Sequence, residues 1–135
     1  MVNVSALKQI MCLLSCQRCH IHQQLPEIMA SLLSAAQVQA VGFCWPDSAG
    51  ALALRISWPQ AFCFPEVVRE AILSPESLEQ PIQGKAPLSW LGVPMKVGGV
   101  SLGRLWVIDA PERDFTEEDL DFLTIVGNQL ALALA

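Results

Sequence analysis

Cys12, Cys16 and Cys19 fall at i, i+4 and i+7, and His20 and His22 follow at once. On a helical wheel at 100° per residue the three thiols occupy about 100–160°, roughly opposite an apolar face. Their neighbours on that side are Ser5, Lys8, Gln9 and Gln23. Thiolates are soft ligands, so three on one helical face suit a metal ion or an iron–sulfur cluster. Cys44, Cys63, a histidine or a second subunit would complete the ligand set. Oxidation between subunits is another chemistry open to them. Inert packing is a third, because a buried cysteine is ordinarily a small hydrophobe. A position off the main core stripe weakens that last reading without removing it. The apolar run after Lys8 is too short and too polar for an export signal, and five cysteines is an odd number. A disulfide framework is therefore not expected.

Periodicity gives the elements that must position these groups. Residues 6–36 have a helical pattern, best divided into two helices. Leu7, Ile10, Met11, Leu14, Ile21, Leu25, Ile28, Met29 and Leu32 lie within about 100° of arc. Pro26 suits the first turn of the second helix, with the break between Cys19 and Leu25. Residues 38–45 read as a strand and 46–50 as a turn. Residues 51–58 then return as a strand with Leu52, Leu54, Ile56 and Trp58 on one face. Pro65 begins a short helix through Leu73, and Pro75 and Pro81 confine the next segment to loop or edge strand. Residues 91–97 and 100–108 form a hairpin about Gly98-Gly99. Trp45, Trp58, Trp90 and Trp106 fall in or beside strands, as core or pocket walls.

Thr116 is placed to cap a final helix, with Asp119 at its third position in a pattern close to a capping box. That helix has two stripes. Leu120, Leu123, Val126, Leu130 and Leu134 face a core, while Ile125, Gln129 and Leu132 form a second line on another side. A helix apolar on two sides is usually packed on two sides. Its pattern reaches Ala135 without a Gly or Pro stop, as expected either of a boundary cut within the helix or of a joint to a longer signalling helix.

A length of 135 residues fits one domain with a real core. Apolar residues make up 53% and charged residues 16%, so some apolar surface is expected to meet a partner. A net charge of −5 with eight unclustered Lys and Arg argues against nucleic acid and anionic membranes. The uncharged stretch 28–46 approaches the length of a membrane span. It holds two Ser, two Gln and a Gly, and its pattern changes near Val38, so a helix followed by a buried strand fits better. No membrane insertion and a cytoplasmic location are expected. There is no Ser/His/Asp set, phosphate-cradling Gly-rich loop or His-x3-His site. The cysteine spacing also occurs in radical enzymes using S-adenosylmethionine, but on a loop of a far larger barrel.

Val93-Pro94-Met95, Gly103-Arg104-Leu105-Trp106-Val107 and Phe115-Thr116-Glu117-Glu118-Asp119-Leu120, in that order, resemble the closing strands and last helix of the GAF family. The resemblance implies an α+β fold with an antiparallel sheet of five or six strands. Its N- and C-terminal helices would pack on one face, with a ligand pocket under loops on the other. It also implies a regulatory module of a signalling protein. The middle of the chain departs from the family. Fewer than thirty residues separate Pro65 from Pro94, a short roof for a pocket, which counts against a large cofactor. The bilin-binding branch needs a Cys-His pair late in the domain, and none follows Cys63. Phe62-Cys63-Phe64 lacks the Asp of a second chromophore motif, and the Asn-Lys-x-Phe-Asp-Glu motif of the cyclic-nucleotide branch is missing. Bilin and cyclic nucleotide are disfavoured.

A GAF-like domain with early cysteines is similar to the sensor region of the cyanobacterial and chloroplast redox sensor kinase family. That similarity implies a redox-responsive histidine kinase of a two-component system. Cys19 would lead the cofactor ligands, with Cys16 and Cys12. The expected layout is a helical region over 1–36, a sheet with a short helix over 38–109, and a C-terminal helix over 115–135. The last would continue toward a downstream kinase domain in the same chain. A homodimer would form on the terminal helices through Ile125, Gln129 and Leu132. The domain itself is not expected to be an enzyme. Two alternatives stay open: a thiol-dependent reductase of the methionine-sulfoxide branch, and a dimerisation module without a ligand. The reductases gather their cysteines around the pocket, whereas three of these five precede the first strand.

Overall fold

The computed structural model describes Ile10, residues 21–76 and residues 78–135. Within them the chain runs α1 (Ile21–Ala36), β1 (Ala40–Pro46), β2 (Leu52–Trp58), α2 (Glu66–Leu73), β3 (Ile82–Gly84), β4 (Ser89–Val97), β5 (Val100–Asp109) and α3 (Glu117–Leu134). The five strands form one sheet in the order β2-β1-β5-β4-β3, with every neighbouring pair antiparallel. The expectations for Cys12, Cys16, Cys19 and His20 fall outside the described residues.

Local chemistry accounts for the boundaries. Gly98 and Gly99 turn β4 into β5 with φ of +59° and +81°, the pair of positive angles that a two-residue hairpin turn requires. Thr116 Oγ1 accepts from the Asp119 amide at 3.1 Å, and the Asp119 carboxylate accepts from the Thr116 amide at 2.9 Å. This capping box starts α3 at the expected residue. Pro65 stands at the N-cap of α2, and after Pro81 β3 is an edge strand, one of the two forms expected there.

Two expectations are corrected. Pro26 lies inside α1, five residues beyond Ile21, so the helix continues through it and the break does not fall within 21–25. The apolar residues of β2 do not share a face. Phe43 pairs with Ile56 but Cys44 pairs with Leu54, so Arg55 is an extra residue in a bulge. One inserted residue reverses the alternation. Ile56 and Trp58 therefore join the core on one side of the sheet, and Leu52 and Leu54 join that on the other.

The larger core lies under the terminal helices. Leu25, Ile28, Met29 and Leu32 of α1 and Phe122, Leu123, Val126 and Leu130 of α3 pack on Val41, Phe43, Leu91, Val93, Met95, Leu105 and Val107. Each such fully buried side chain contributes roughly 1.5–3 kcal/mol. Leu120 and Leu134, expected in the same stripe, are only partly buried at its ends. The smaller core lies under α2 and gathers Ala40, Cys44, Val68, Ile72, Trp90, Trp106 and Ile108. Among the described residues no helix is long and apolar enough to cross a membrane.

Candidate functional site

Strand alternation sends residues 104, 106 and 108 of β5 and 40, 42 and 44 of β1 toward α2. Arg104 stands directly across from Cys44, and Trp106 from Gly42. The Trp106 ring lies over Gly42, where a Cβ would overlap both the indole and the Ile56 carbonyl oxygen. Phe64, from the segment leading into α2, packs on Trp106 with ring centroids 5.4 Å apart. Arg104, Trp106 and Cys44 are each at zero exposure. The face where the resemblance implied a pocket is thus packed with the chain's own side chains.

Arg104 is the unusual member of this set. Its Nη1 donates to the carbonyl oxygens of Ile72 at 2.5 Å and Ser74 at 2.8 Å, and its Nη2 to Glu76 at 3.3 Å. These are carbonyls at and beyond the C-terminal end of α2, which no turn of helix satisfies and where the helix dipole is negative. No carboxylate among the described residues pairs with the guanidinium. Burial lowers the Arg104 pKa from its ordinary value, and the nearby Cys44 sulfur opposes that shift.

Cys44 donates weakly to the Ile72 carbonyl at 3.9 Å. Burial pushes its thiol up to about 12, against the smaller downward pulls of Arg104 and the Trp106 indole N–H. It is a protonated thiol at neutral pH and a poor nucleophile. Trp106 Nε1 lies close enough to exert that pull, yet it has no acceptor in hydrogen-bond geometry. A buried, unpaired donor of this kind costs about 1–3 kcal/mol.

A second arginine organises the opposite side of the sheet. Arg113 donates to Gln37 O at 3.0 Å and Ala36 O at 3.4 Å, closing the C-terminal end of α1. It also pairs with Asp109 at 3.1 Å and Asp119 at 3.4 Å. The end of β5, the end of α1 and the start of α3 therefore meet at one side chain. Asp119, which also completes the capping box of α3, is buried.

The residues singled out from sequence are unevenly placed. Cys44 is buried and Cys63 exposed. No group of three His, Cys, Asp or Glu that could hold a metal occurs among the described residues. Ile125 and Leu132 on α3 are 43% and 48% exposed, and Gln129 between them is partly buried. Arg104 had been noted only as part of a motif. Its signal was present: a lone cation in a strand apolar on both faces. A cleft of about 160 Å³ near the start of α3, lined by Pro81, Ile82, Leu91, Phe115, Glu117 and Leu120 among others, is smaller than usual for a ligand pocket.

Residues 6–134 match the GAF domain family. The GAF domain of an Acinetobacter phosphoenolpyruvate-protein phosphotransferase is similar at 20% identity, with 99% of this chain and 94% of that chain covered and a TM-score of 0.74. A domain of a putative two-component sensor histidine kinase from Sinorhizobium meliloti 1021 is 14% identical over 83% of this chain and 89% of that one, with a TM-score of 0.62. The phycoerythrobilin-bound GAF domain of a cyanobacterial phytochrome is 12% identical over 100% and 95%, with a TM-score of 0.69. At these identities the likeness establishes the fold. No curated protein matches the chain.

Proposed function

The chain belongs to the GAF domain family, and from that premise we propose that it is a sensory, regulatory domain that relays changes in its sheet through its terminal helices. The observation that carries this reading is the outer side of α3. Its inner side is fixed in the larger core, while Ile125 and Leu132 remain exposed one stripe away. A second copy supplying the same stripe would bury both in a helical bundle, contributing on the order of 25 cal/mol per Å² of apolar area. Arg113 gives the relay a route, because it joins the end of β5 to α1 and α3. The domain should therefore sediment as a dimer, and Ile125→Glu with Leu132→Glu should yield folded monomer. A wild-type monomer at high micromolar concentration would sink the bundle.

The similar structures from a phosphotransferase and a sensor histidine kinase support a signalling context, and a kinase is the output we propose. A redox input rests on the Cys12, Cys16 and Cys19 stripe. If those thiols hold an iron–sulfur cluster, anaerobically reconstituted protein absorbs in the visible, and Cys19→Ser abolishes that absorption with the fold intact. A colourless sample after reconstitution removes the cluster. Thiol catalysis has less support, since Cys44 is buried and held protonated.

A further inference from the structure

The α2 face holds a cation without an anion. Arg104 is at zero exposure and its hydrogen-bond partners are neutral carbonyls, with no carboxylate among the described residues within ion-pair distance. Two residues along the same side of β5, Trp106 offers a buried N–H with no acceptor in hydrogen-bond geometry, only the Cys44 sulfur nearby. Cys44 lies close to both, and its own thiol donates to the same Ile72 carbonyl that Arg104 holds. The polar groups that β1 and β5 turn inward here are donors. A buried charge is ordinarily matched by an opposite charge. Here the C-terminal carbonyls of α2 are what stands in that place.

We propose that this face is a binding site for a small monocarboxylate, with Arg104 and the Trp106 indole N–H as its donors, and that the α2 carbonyls occupy it in the unliganded protein. The planar guanidinium fork matches a carboxylate with two parallel hydrogen bonds. One formal charge balances one carboxylate, whereas a phosphate dianion would leave excess charge among Arg104, Trp106 and Cys44. The element that must yield is lightly held. Of α2, only Val68 and Ile72 are fully buried, while Val67, Arg69 and Glu70 are exposed. Its end is unconstrained by helix, because Ser74 is already extended and Pro75 follows. When the ligand takes the guanidinium, the carbonyls of Ile72, Ser74 and Glu76 turn to water and α2 shifts from the sheet. The site rests on the regulatory reading above, for which it supplies the input.

Proton–nitrogen correlation spectra of the full chain test this, with the Trp106 indole signal assigned by Trp106→Phe. Sodium acetate is titrated against sodium chloride at matched ionic strength, and against inorganic phosphate. Acetate should shift the Trp106 indole saturably, chloride should not, and amide exchange over residues 68–76 should quicken on binding. Arg104→Met should lose the response. Arg104→Lys keeps the charge but not the fork and should raise the acetate midpoint about tenfold. If Arg104→Met does not fold, the lysine variant decides. An indole signal that acetate moves no more than chloride, or an unchanged response in the variant, overturns the site. Phosphate saturating at lower concentration than acetate overturns the carboxylate assignment. Sedimentation of the α3 variants is read without any anion, so failure here leaves the relay standing or falling on its own test.

Discussion

Arg104 and Arg113 each close the C-terminal end of a helix on opposite sides of one sheet, but in different electrostatic settings. Arg113 meets Asp109 and Asp119 as well as the carbonyls of Ala36 and Gln37, and its guanidinium lies 5.2 Å above the Phe115 ring. Arg104 meets carbonyls alone. The joint between α1, β5 and α3 pairs its cation with carboxylates and ties three elements, so it transmits motion as a unit. The α2 face is unbalanced and ties one short helix, so it is the side on which an anion can change the structure. A charge buried with opposite charges defines a rigid point, and one buried against neutral carbonyls alone defines a responsive point.

The largest test of that contrast removes each arginine. Arg113→Ala leaves two carboxylates with low exposure and two helix-end carbonyls without their partner, and should lower stability by about 3 kcal/mol in urea denaturation. Arg104→Met keeps the volume and strands no charge, but it leaves the carbonyls at the end of α2, that of Ile72 buried, without their donor, and should cost about 1–2 kcal/mol. Equal losses would mean that α2 depends on its clamp as fully as α1 and α3 depend on theirs, and the contrast would fail.

These two arginines also mark where the sequence was legible. The hairpin at Gly98-Gly99, the capping box at Thr116 and Asp119, and the edge strand after Pro81 depend on residues adjacent in the chain, so their chemistry is written locally. The inner and outer stripes of α3 followed from helical period alone. The bulge at Arg55 has no comparable signature, since it is a matter of register with β1, and reading β2 as regular put four side chains on one face. The partners of Arg113 at Ala36 and Gln37 are backbone carbonyls more than seventy residues away, which no side-chain pattern records. Arg104 was visible as an oddity, but its partners depend on how α2 folds back.

The smaller test asks whether Arg104 truly lacks a counter-ion, because Cys44 could become one. The thiol stands across from the guanidinium, and a thiolate there would balance the charge. Burial works against the anion more strongly than Arg104 works for it, and the thiol is pushed up to about 12 from an ordinary 9.0. The native state therefore holds this proton more tightly than the unfolded chain does. The stability it brings is fully present below pH 9.0 and is lost as pH rises from there toward 12. Wild type and Cys44→Ala, unfolded in urea under reducing conditions, should differ by a margin that narrows by about 1.4 kcal/mol per pH unit across that window. Groups elsewhere titrate in both proteins and cancel. If the margin stays constant, Cys44 ionises as it would in the unfolded chain. If it widens, the thiolate is favoured in the native state, Arg104 has its anion already, and the α2 face pairs its cation as the joint at Arg113 does.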